Sequence, residues 1–404
     1  MKRLFTVIII ALSAMAVCGS PFGSNQKLQR KDYPSFLHEI KGVIVEEHDS
    51  VWYHAQFEGW LEQTRLDPKD EYAWLNCYRA KRYELLFSSN YDETELAEIR
   101  TEMKKHIPDT YVYYICAMEE PDVTQEQRLE YLTKAFELIP TEKVLFDYDK
   151  WFYFLKAFGD NEQFSKLAKE YYDSGLYSNE LIQCSLNELN CMEEGGIFIG
   201  NGDATVGPKW LIQEGMGKHR DKLVICQNFI LIHEYCERIY DELGIGDVPE
   251  IIDFEQDPFY YTQIIIDDIA VKTGRTLYFS KFNPADYYQL WEERGTMYDI
   301  GLLLQDSPDK ELDIYLEQKR FFDSTDFTYL DNPIKDDAWV SDSRCSYSLT
   351  SCFWQLMIKY KQEGDTANYQ KIYEMMEKAV KRIPDESRRS YGQMVLDEYA
   401  TMEE

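Results

Sequence analysis

The chain has 404 residues, of which 44% are hydrophobic and 15% aromatic, enough for two or three domains with real cores. Lys and Arg total 43 against 73 Asp and Glu, which gives a formal net charge of −30 at pH 7. A surface this acidic repels phosphate backbones and anionic lipid headgroups, so the composition argues against nucleic-acid binding. High net charge also keeps a protein soluble, which is the simpler reason for it.

The N-terminus has the pattern of an export signal. Lys2 and Arg3 precede the apolar run Leu4–Leu12, and Ala14-Met15-Ala16 supplies the small-x-small site of a signal peptidase. The apolar run is too short to span a bilayer. We therefore predict a signal peptide over residues 1–17, a polar linker over residues 18–32, and a periplasmic location.

Cys18 allows a second interpretation, in which the chain is an outer-membrane lipoprotein facing the periplasm and acylated on Cys18. Contact with the membrane is expected only through such an anchor. The other eight cysteines are an even number, which invites disulfides in an oxidising compartment. Several lie on apolar stretches, where buried free thiols are ordinary, and no CxxC spacing occurs. We expect few disulfides or none.

Residues 33–190 are predicted to be helical nearly throughout, because Gly and Pro are sparse there. Helix ends at residues 107–108, 139–140 and 383–384 all finish in Ile-Pro, and the last two share Lys-Ala-x-x-x-Ile-Pro. Pro108 and Pro140 are separated by nearly the period of tetratricopeptide repeats, which close their second helix in this way. The region resembles degenerate repeats of that family, a resemblance that implies a concave protein-binding surface.

Residues 191–305 have a different pattern, with frequent glycine and three β-rich runs. Ile197–Ile199, Leu223–Cys226 and Thr276–Ser280 are predicted strands with helices between them, and Met297–Leu304 is a predicted closing strand. The alternation predicts a small three-layer α/β, Rossmann-like domain with a mostly parallel sheet. Residues 306–344 are predicted to be a long connection that wraps the sheet, and residues 345–404 a C-terminal helical hairpin of the repeat type.

A candidate ligand site follows the first two predicted strands. Ligands of open α/β sheets lie beyond the carboxyl ends of the strands, close to helix N-termini that favour anions and polar groups. In the alternative interpretation Asp203 or Thr205 only caps the next helix, while Gly200 and Gly202 form the turn. The candidate ligand-binding residues are Asn201, Gly202, Asp203, Thr205, Gln227 and Asn228.

Familiar catalytic and metal patterns are incomplete in this sequence. His233-Glu234 resembles part of a zinc-protease helix, but Glu237 stands where the second His is needed. Cys226 has no identifiable base, and Trp210 is better explained as a core residue. The acidic pairs Asp267-Asp268 and Asp336-Asp337 are typical of solvated faces. We therefore predict no catalytic residue, no metal site and no cofactor.

The run Asn201–Gln213, NGD-x-T-x-x-x-x-W-L-x-Q, resembles the soluble C-terminal region of bacterial membrane proteins related to protein O-mannosyltransferases. Thr276–Phe279, Tyr287-Tyr288 and Leu330–Pro333 continue the match. That family's sugar transfer takes place in its membrane helices, which this chain lacks, so the resemblance implies a non-catalytic appendage. Ala204 and Thr205 replace the family's Asn-Asp.

These observations favour an exported, non-enzymatic scaffold of the cell envelope that binds another envelope protein or assembly through its repeats. The first alternative is an accessory protein of envelope glycosylation that binds a polar ligand such as a sugar or peptide. The second alternative is a hydrolase of unknown type.

Overall fold

A computed structural model describes residues 32–41, 47–88, 92–138, 148–159, 161–175, 177–250, 258–281, 283–308, 311–334 and 345–401. The predicted signal peptide, Cys18, all but the last residue of the linker, and Asp336-Asp337 lie outside these ranges. The described chain is mostly helical and contains one small sheet. Its contacts divide it into two compact units, residues up to 154 and residues from 155 onward.

The first unit is a succession of helices in which neighbours in sequence pack on one another, with α1 on α2, α2 on α3 and α4, and α4 on α5. Three of these helices begin at a side-chain cap: Asp49, Asp70 and Thr110 each accept a hydrogen bond from a backbone N–H of the first turn. The helices are α1 (Ser50–Leu66), α2 (Glu71–Leu86), α3 (Thr94–His106), α4 (Tyr111–Ala117), α5 (Gln125–Leu138) and α6 (Tyr148–Phe158), which crosses into the second unit.

Buried charged side chains, in addition to apolar ones, stabilise the first unit. Arg82 donates to Glu119 at 2.9 Å, and the Tyr78 hydroxyl donates to the same carboxylate at 3.0 Å. Arg100, only 2% exposed, donates to the Tyr78 oxygen at 3.0 Å and lies 3.4 Å from Glu93. Each cation therefore meets a carboxylate or a phenol, which is the condition for burying charge at tolerable cost.

The second unit contains a five-stranded sheet of strand order β2-β1-β3-β5-β4. Strands β1 and β2 are parallel, as are β1 and β3, whereas β5 runs antiparallel to both β3 and β4. The sheet is mixed, so the prediction of a mostly parallel sheet is wrong. The strands are β1 (Ile197–Gly200), β2 (Leu223–Cys226), β3 (Leu277–Ser280), β4 (Met297–Asp299) and β5 (Leu303–Asp306).

The physical reason for the mixed sheet is a tight turn at Gly301. The sequence predicts one strand over Met297–Leu304, but Gly301 has φ +117°, a value that L side chains rarely adopt. Its N–H donates to Oδ1 of Asp299 at 3.0 Å, and the Ile300 N–H donates to the Leu303 carbonyl oxygen at 3.1 Å. The run therefore folds back on itself as a hairpin and adds two strands of opposite direction.

Helices pack against the sheet. The chain passes from β1 to β2 on one side and returns past β1 to β3, and the general rule of right-handed crossovers predicts that the intervening helices lie on opposite faces. Helix α9 packs on α7 and α8, and the buried ion pair between Lys209 and Glu188 joins α9 to α8. These helices are α7 (Asn161–Asp173), α8 (Asn179–Cys191), α9 (Asp203–Gly215), α10 (His233–Leu243), α11 (Pro258–Thr273) and α12 (Gln289–Arg294).

The predicted wrapping connection contains a helix that the sequence did not indicate, α13 (Ile314–Ser324), capped by Asp313. It packs on α8 and on α14 (Trp354–Gln362). Two further helices, α15 (Thr366–Arg382) and α16 (Glu386–Thr401), complete the unit, with the predicted Ile383-Pro384 joint between them. Within the described ranges, the eight cysteines are buried and form no disulfide, and none of the helices is long and apolar enough to cross a membrane.

Candidate functional site

The sequence-predicted site lies where β1, β2 and β3 end at the same edge of the sheet, hereafter the carboxyl edge. The chain leaves β1 through Asn201 and Gly202, and it leaves β2 through a 3-10 turn, Gln227–Leu231. A second 3-10 turn, Ala285–Tyr287, follows β3. Since β1 lies between β2 and β3, the loops diverge around it, which is the usual position of ligand crevices in such sheets.

The loop after β1 is organised mainly by local capping. The Gly202 N–H donates to the Thr205 hydroxyl at 3.2 Å, and that hydroxyl donates to the Gly202 carbonyl oxygen at 2.9 Å. A Cβ on Gly200 would lie 2.6 Å from Thr205 Oγ1, so glycine is required there for close approach of the helix. Gly202 has an extended backbone with open space around it. Asp203 begins α9, and its side chain lies outside the described part.

Gln227 and Asn228 tie the other loops to this one. Nδ2 of Asn228 donates to the Asn201 carbonyl oxygen at 2.7 Å. Nε2 of Gln227, a fully buried side chain, donates at 2.9 Å both to Thr262 Oγ1 and to the Tyr287 carbonyl oxygen. Thr262 comes from α11, so a single amide links the ends of β2 and β3 to a helix. The structure thus brings the two predicted halves of the site together.

Tyr287 closes this network from the loop after β3. Its hydroxyl donates to Oδ1 of Asn228 at 2.9 Å. Burial raises the pKa of the Tyr287 phenol, which therefore stays protonated and keeps its donor near neutral pH. Asn228 uses its amide group to accept from Tyr287 and to donate to Asn201, which fixes the orientation of the amide.

Two buried amide oxygens at this edge accept no hydrogen bond from the part of the chain that the structure describes. Nδ2 of Asn283, which is 4% exposed, donates to the Ile199 carbonyl oxygen at 3.3 Å, leaving Asn283 Oδ1 without a donor. Gln227 Oε1 also lacks a donor. Both amide nitrogens face carbonyl oxygens, so flipping either amide would place oxygen against oxygen. A buried unmet acceptor costs about 1–3 kcal/mol, so a donor from water or a ligand is favoured at both.

Aromatic rings flank these acceptors. The Phe259 ring at the start of α11 lies 5.1 Å from the Tyr287 ring, centroid to centroid, and Phe259 is 37% exposed. Exposed rings beside a few fixed polar groups are the usual composition of small-ligand sites.

One ion pair lies along the same edge. Nζ of Lys281, just after β3, lies 2.7 Å from the carboxylate of Asp299 at the end of β4. Besides this ion pair, the side chains that form the described hydrogen-bond network are amides, hydroxyls and a phenol, groups that do not exchange protons readily near pH 7. Across the described ranges, no cluster of His, Cys, Asp and Glu has the arrangement of a metal site. The network of amides, hydroxyls and a phenol is suited to hydrogen bonding.

The remaining sequence candidates have structural partners. Trp210 is 1% exposed and donates to the Val224 carbonyl oxygen at 3.1 Å, which confirms it as a core residue. His233 lies 3.0 Å from Glu237 on an exposed turn of α10. Asp267 receives two hydrogen bonds from Arg294, at 2.7 and 2.8 Å. This acidic residue is therefore paired with a cation rather than simply solvated.

Sequence reasoning missed Asn283, Thr262, Tyr287 and Phe259 as site residues. For Asn283 a usable signal exists, because an Asn that closely follows a strand lies at the same edge as Asn201 and Gln227. Thr262 and Phe259 lie on a helix far along the chain, and only the tertiary fold brings them to Gln227.

Comparison with known protein families finds no match for the chain, and the curated proteins and solved structures yield no match either.

Proposed function

We propose that the chain is a non-enzymatic binding protein of the cell envelope that holds a neutral, hydroxyl-rich ligand, a sugar, at the carboxyl edge of its sheet. The observation that carries the proposal is the pair of buried acceptors, Gln227 Oε1 and Asn283 Oδ1, which face no protein donor in the described part of the chain. Both oxygens are buried in this structure, so a ligand of this site has to reach them by displacing the loops of the carboxyl edge and to donate hydrogen bonds, as sugar hydroxyls do.

The surroundings support a sugar over other donors. The Phe259 and Tyr287 rings, which are tilted by 46° to each other, offer apolar contacts for the C–H face of a pyranose. The Lys281–Asp299 pair adds one donor and one acceptor for further hydroxyls. A free cation would satisfy the acceptors only at the cost of desolvating its charge beside neutral amides. The export pattern of the first 17 residues supports a location in the envelope, where sugars are abundant.

The test is saturation-transfer NMR on the full chain with a panel of neutral hexoses and N-acetylhexosamines. Phe259→Ala removes the exposed ring and leaves the buried amides in place, so we expect the signal of a binding sugar to fall at least about five-fold. Gln227→Met removes the acceptor, together with the two hydrogen bonds that Nε2 donates, at similar side-chain length. It is expected to abolish the signal, with circular dichroism confirming that the variant folds.

Tyr391→Ala is the matched control, since Tyr391 is an aromatic residue 51% exposed on α16. Its signal should equal that of the wild type. A panel in which no sugar gives a signal, or in which Phe259→Ala and Tyr391→Ala behave alike, would remove the proposal.

A protein-interaction scaffold built on tetratricopeptide-like repeats is the second candidate. The first unit favours it, because helices α1 to α5 pack on their neighbours in sequence, as the helices of a repeat array do. Crosslinking in intact cells followed by purification should recover an envelope protein; recovery of the chain alone would count against it.

A further inference from the structure

The end of α15 and the segment after the 3-10 turn Thr328–Asp331 enclose an open groove of about 510 Å³, hereafter the basic groove. Its apolar floor is formed by Pro333, which is exposed, and Ile334, which is partly exposed, whereas Leu330 and Ile383 are buried. Pro384, at the joint between α15 and α16, extends this apolar floor. The volume falls within the range of sites that take small ligands or short peptide segments.

The walls of the groove have the opposite charge to the rest of the chain. Four cationic side chains line it, those of Lys378, Lys381, Arg382 and Arg389, against one carboxylate, that of Asp331. The full sequence, by contrast, has 73 acidic and 43 basic residues. A local excess of cations in an acidic protein gives the groove its own electrostatic preference.

The four cations differ in how strongly they are already bound to other groups of the chain. Arg382 is already held in a two-point ion pair, because its guanidinium donates to both oxygens of the buried Glu180 at 2.7 and 2.5 Å. Lys378 and Lys381 lie 2.7 Å from Asp331 and 2.9 Å from Glu377, but both lysines are more than half exposed. Arg389 donates to the Ile383 carbonyl oxygen at 3.0 Å. Exposed ion pairs contribute little, so an incoming carboxylate can exchange into them.

From this geometry we propose that the basic groove binds an acidic peptide segment of a partner protein, with an apolar side chain on the floor formed by Pro333, Ile334 and Pro384 and flanking carboxylates on Lys378, Lys381 and Arg389. Charge complementarity identifies the occupant as acidic, and the apolar floor calls for an anchor residue. Long polyanions such as nucleic acids are disfavoured by the net charge of −30. This inference concerns a surface separate from the carboxyl edge and does not depend on sugar binding.

The test is fluorescence anisotropy of the full chain with two labelled hexapeptide pools, each with one Leu or Phe, flanked by Asp and Glu in one pool and by Lys and Arg in the other. We expect the acidic pool to bind despite the negative charge of the protein, with affinity falling as salt rises. Lys381→Ala with Arg389→Ala should weaken binding at least about five-fold.

The control is Lys371→Ala with Arg388→Ala, which removes the same charge from the same two helices but outside the groove lining. It should change the affinity less than about two-fold, as expected for surface charges away from the contact. Preference for the basic pool, or equal weakening by both double variants, would overturn the proposal. Self-association in sedimentation velocity that only the groove variant abolishes would instead assign the groove to a second copy of the chain and equally contradict it.

Discussion

Gln227 and Asn283 are the residues at which the proposed ligand binding most clearly costs the fold stability. Both amides are buried, and each leaves an oxygen without a donor in the described chain. An unmet buried acceptor destabilises the fold by about 1–3 kcal/mol, whereas an apolar residue of similar size would carry no such penalty. Retaining two such amides at one edge is explained if a ligand supplies the donors.

Lys156 predicts how the free energy of unfolding depends on pH. Its ammonium lies 4.7 Å from the Phe164 ring centroid and 5.3 Å from that of Trp210, and loss of water lowers its pKa to about 8. Above that pH the unfolded chain still binds the proton, up to a pKa of about 10.4. The contribution of Lys156 to the free energy of unfolding therefore rises with pH between about 8 and 10.

Lys156→Met removes this contribution. We expect the variant to be more stable than the wild type at pH 7 by about 1–2 kcal/mol, reduced by the lost cation–π attraction, and the difference to shrink towards pH 10. Urea unfolding across that range measures it. The exposed Lys166→Met control should stay within about 0.5 kcal/mol of wild type throughout. A constant Lys156→Met difference over the whole window would show that the site is not desolvated.

At the scale of elements, the turn between β1 and α9 explains why two neighbouring glycines are not equivalent. Gly200→Ala would place a Cβ 2.6 Å from Thr205 Oγ1 and 2.7 Å from Val206 Cγ1. We expect a loss of about 1–3 kcal/mol, because the first turn of α9 has to move. Thermal and urea unfolding provide the measurement.

Gly202→Ala is the internal comparison. This residue has φ −161°, and a Cβ added to it would meet nothing within 4 Å, so the substitution should be neutral within about 0.5 kcal/mol. Equal losses at both positions would mean that the turn depends on chain flexibility rather than on close approach.

Local sequence signals predicted the elements well where the pattern was continuous. The apolar run of β2 was predicted with its observed bounds, and β1 and β3 differ by one residue at an end. The hairpin of β4 and β5 was not predictable from hydrophobicity, because MYDIGLLL is mostly apolar along its length and only the conformation of Gly301 divides it. Helix α13 was missed because its charged residues resemble those of a loop.

The candidate site was predictable only in part, for a related reason. Residues that directly follow strands, such as Asn201 and Gln227, could be inferred from the order of elements. Thr262, Phe259 and Tyr287 reach the site through the packing of α11 on the 3-10 turns, which no local pattern encodes.

For the molecule as a whole, we expect two separate surfaces of the second unit to bind two different kinds of ligand. The carboxyl edge presents neutral acceptors and rings to a sugar, while the basic groove presents cations to an acidic peptide. The strongly acidic remainder disfavours polyanions. A protein that binds both ligand types would bring a glycan and a protein partner together without catalysing a reaction.

Amide hydrogen exchange of the full chain, with and without a sugar that gives an NMR signal, tests the central claim most directly. Bound sugar should slow exchange in the three loops of the carboxyl edge, residues 200–206, 226–231 and 281–288, and Phe259→Ala should abolish that protection. Protection confined to other parts of the chain, with these loops unchanged at saturating sugar, would contradict the proposed sugar site.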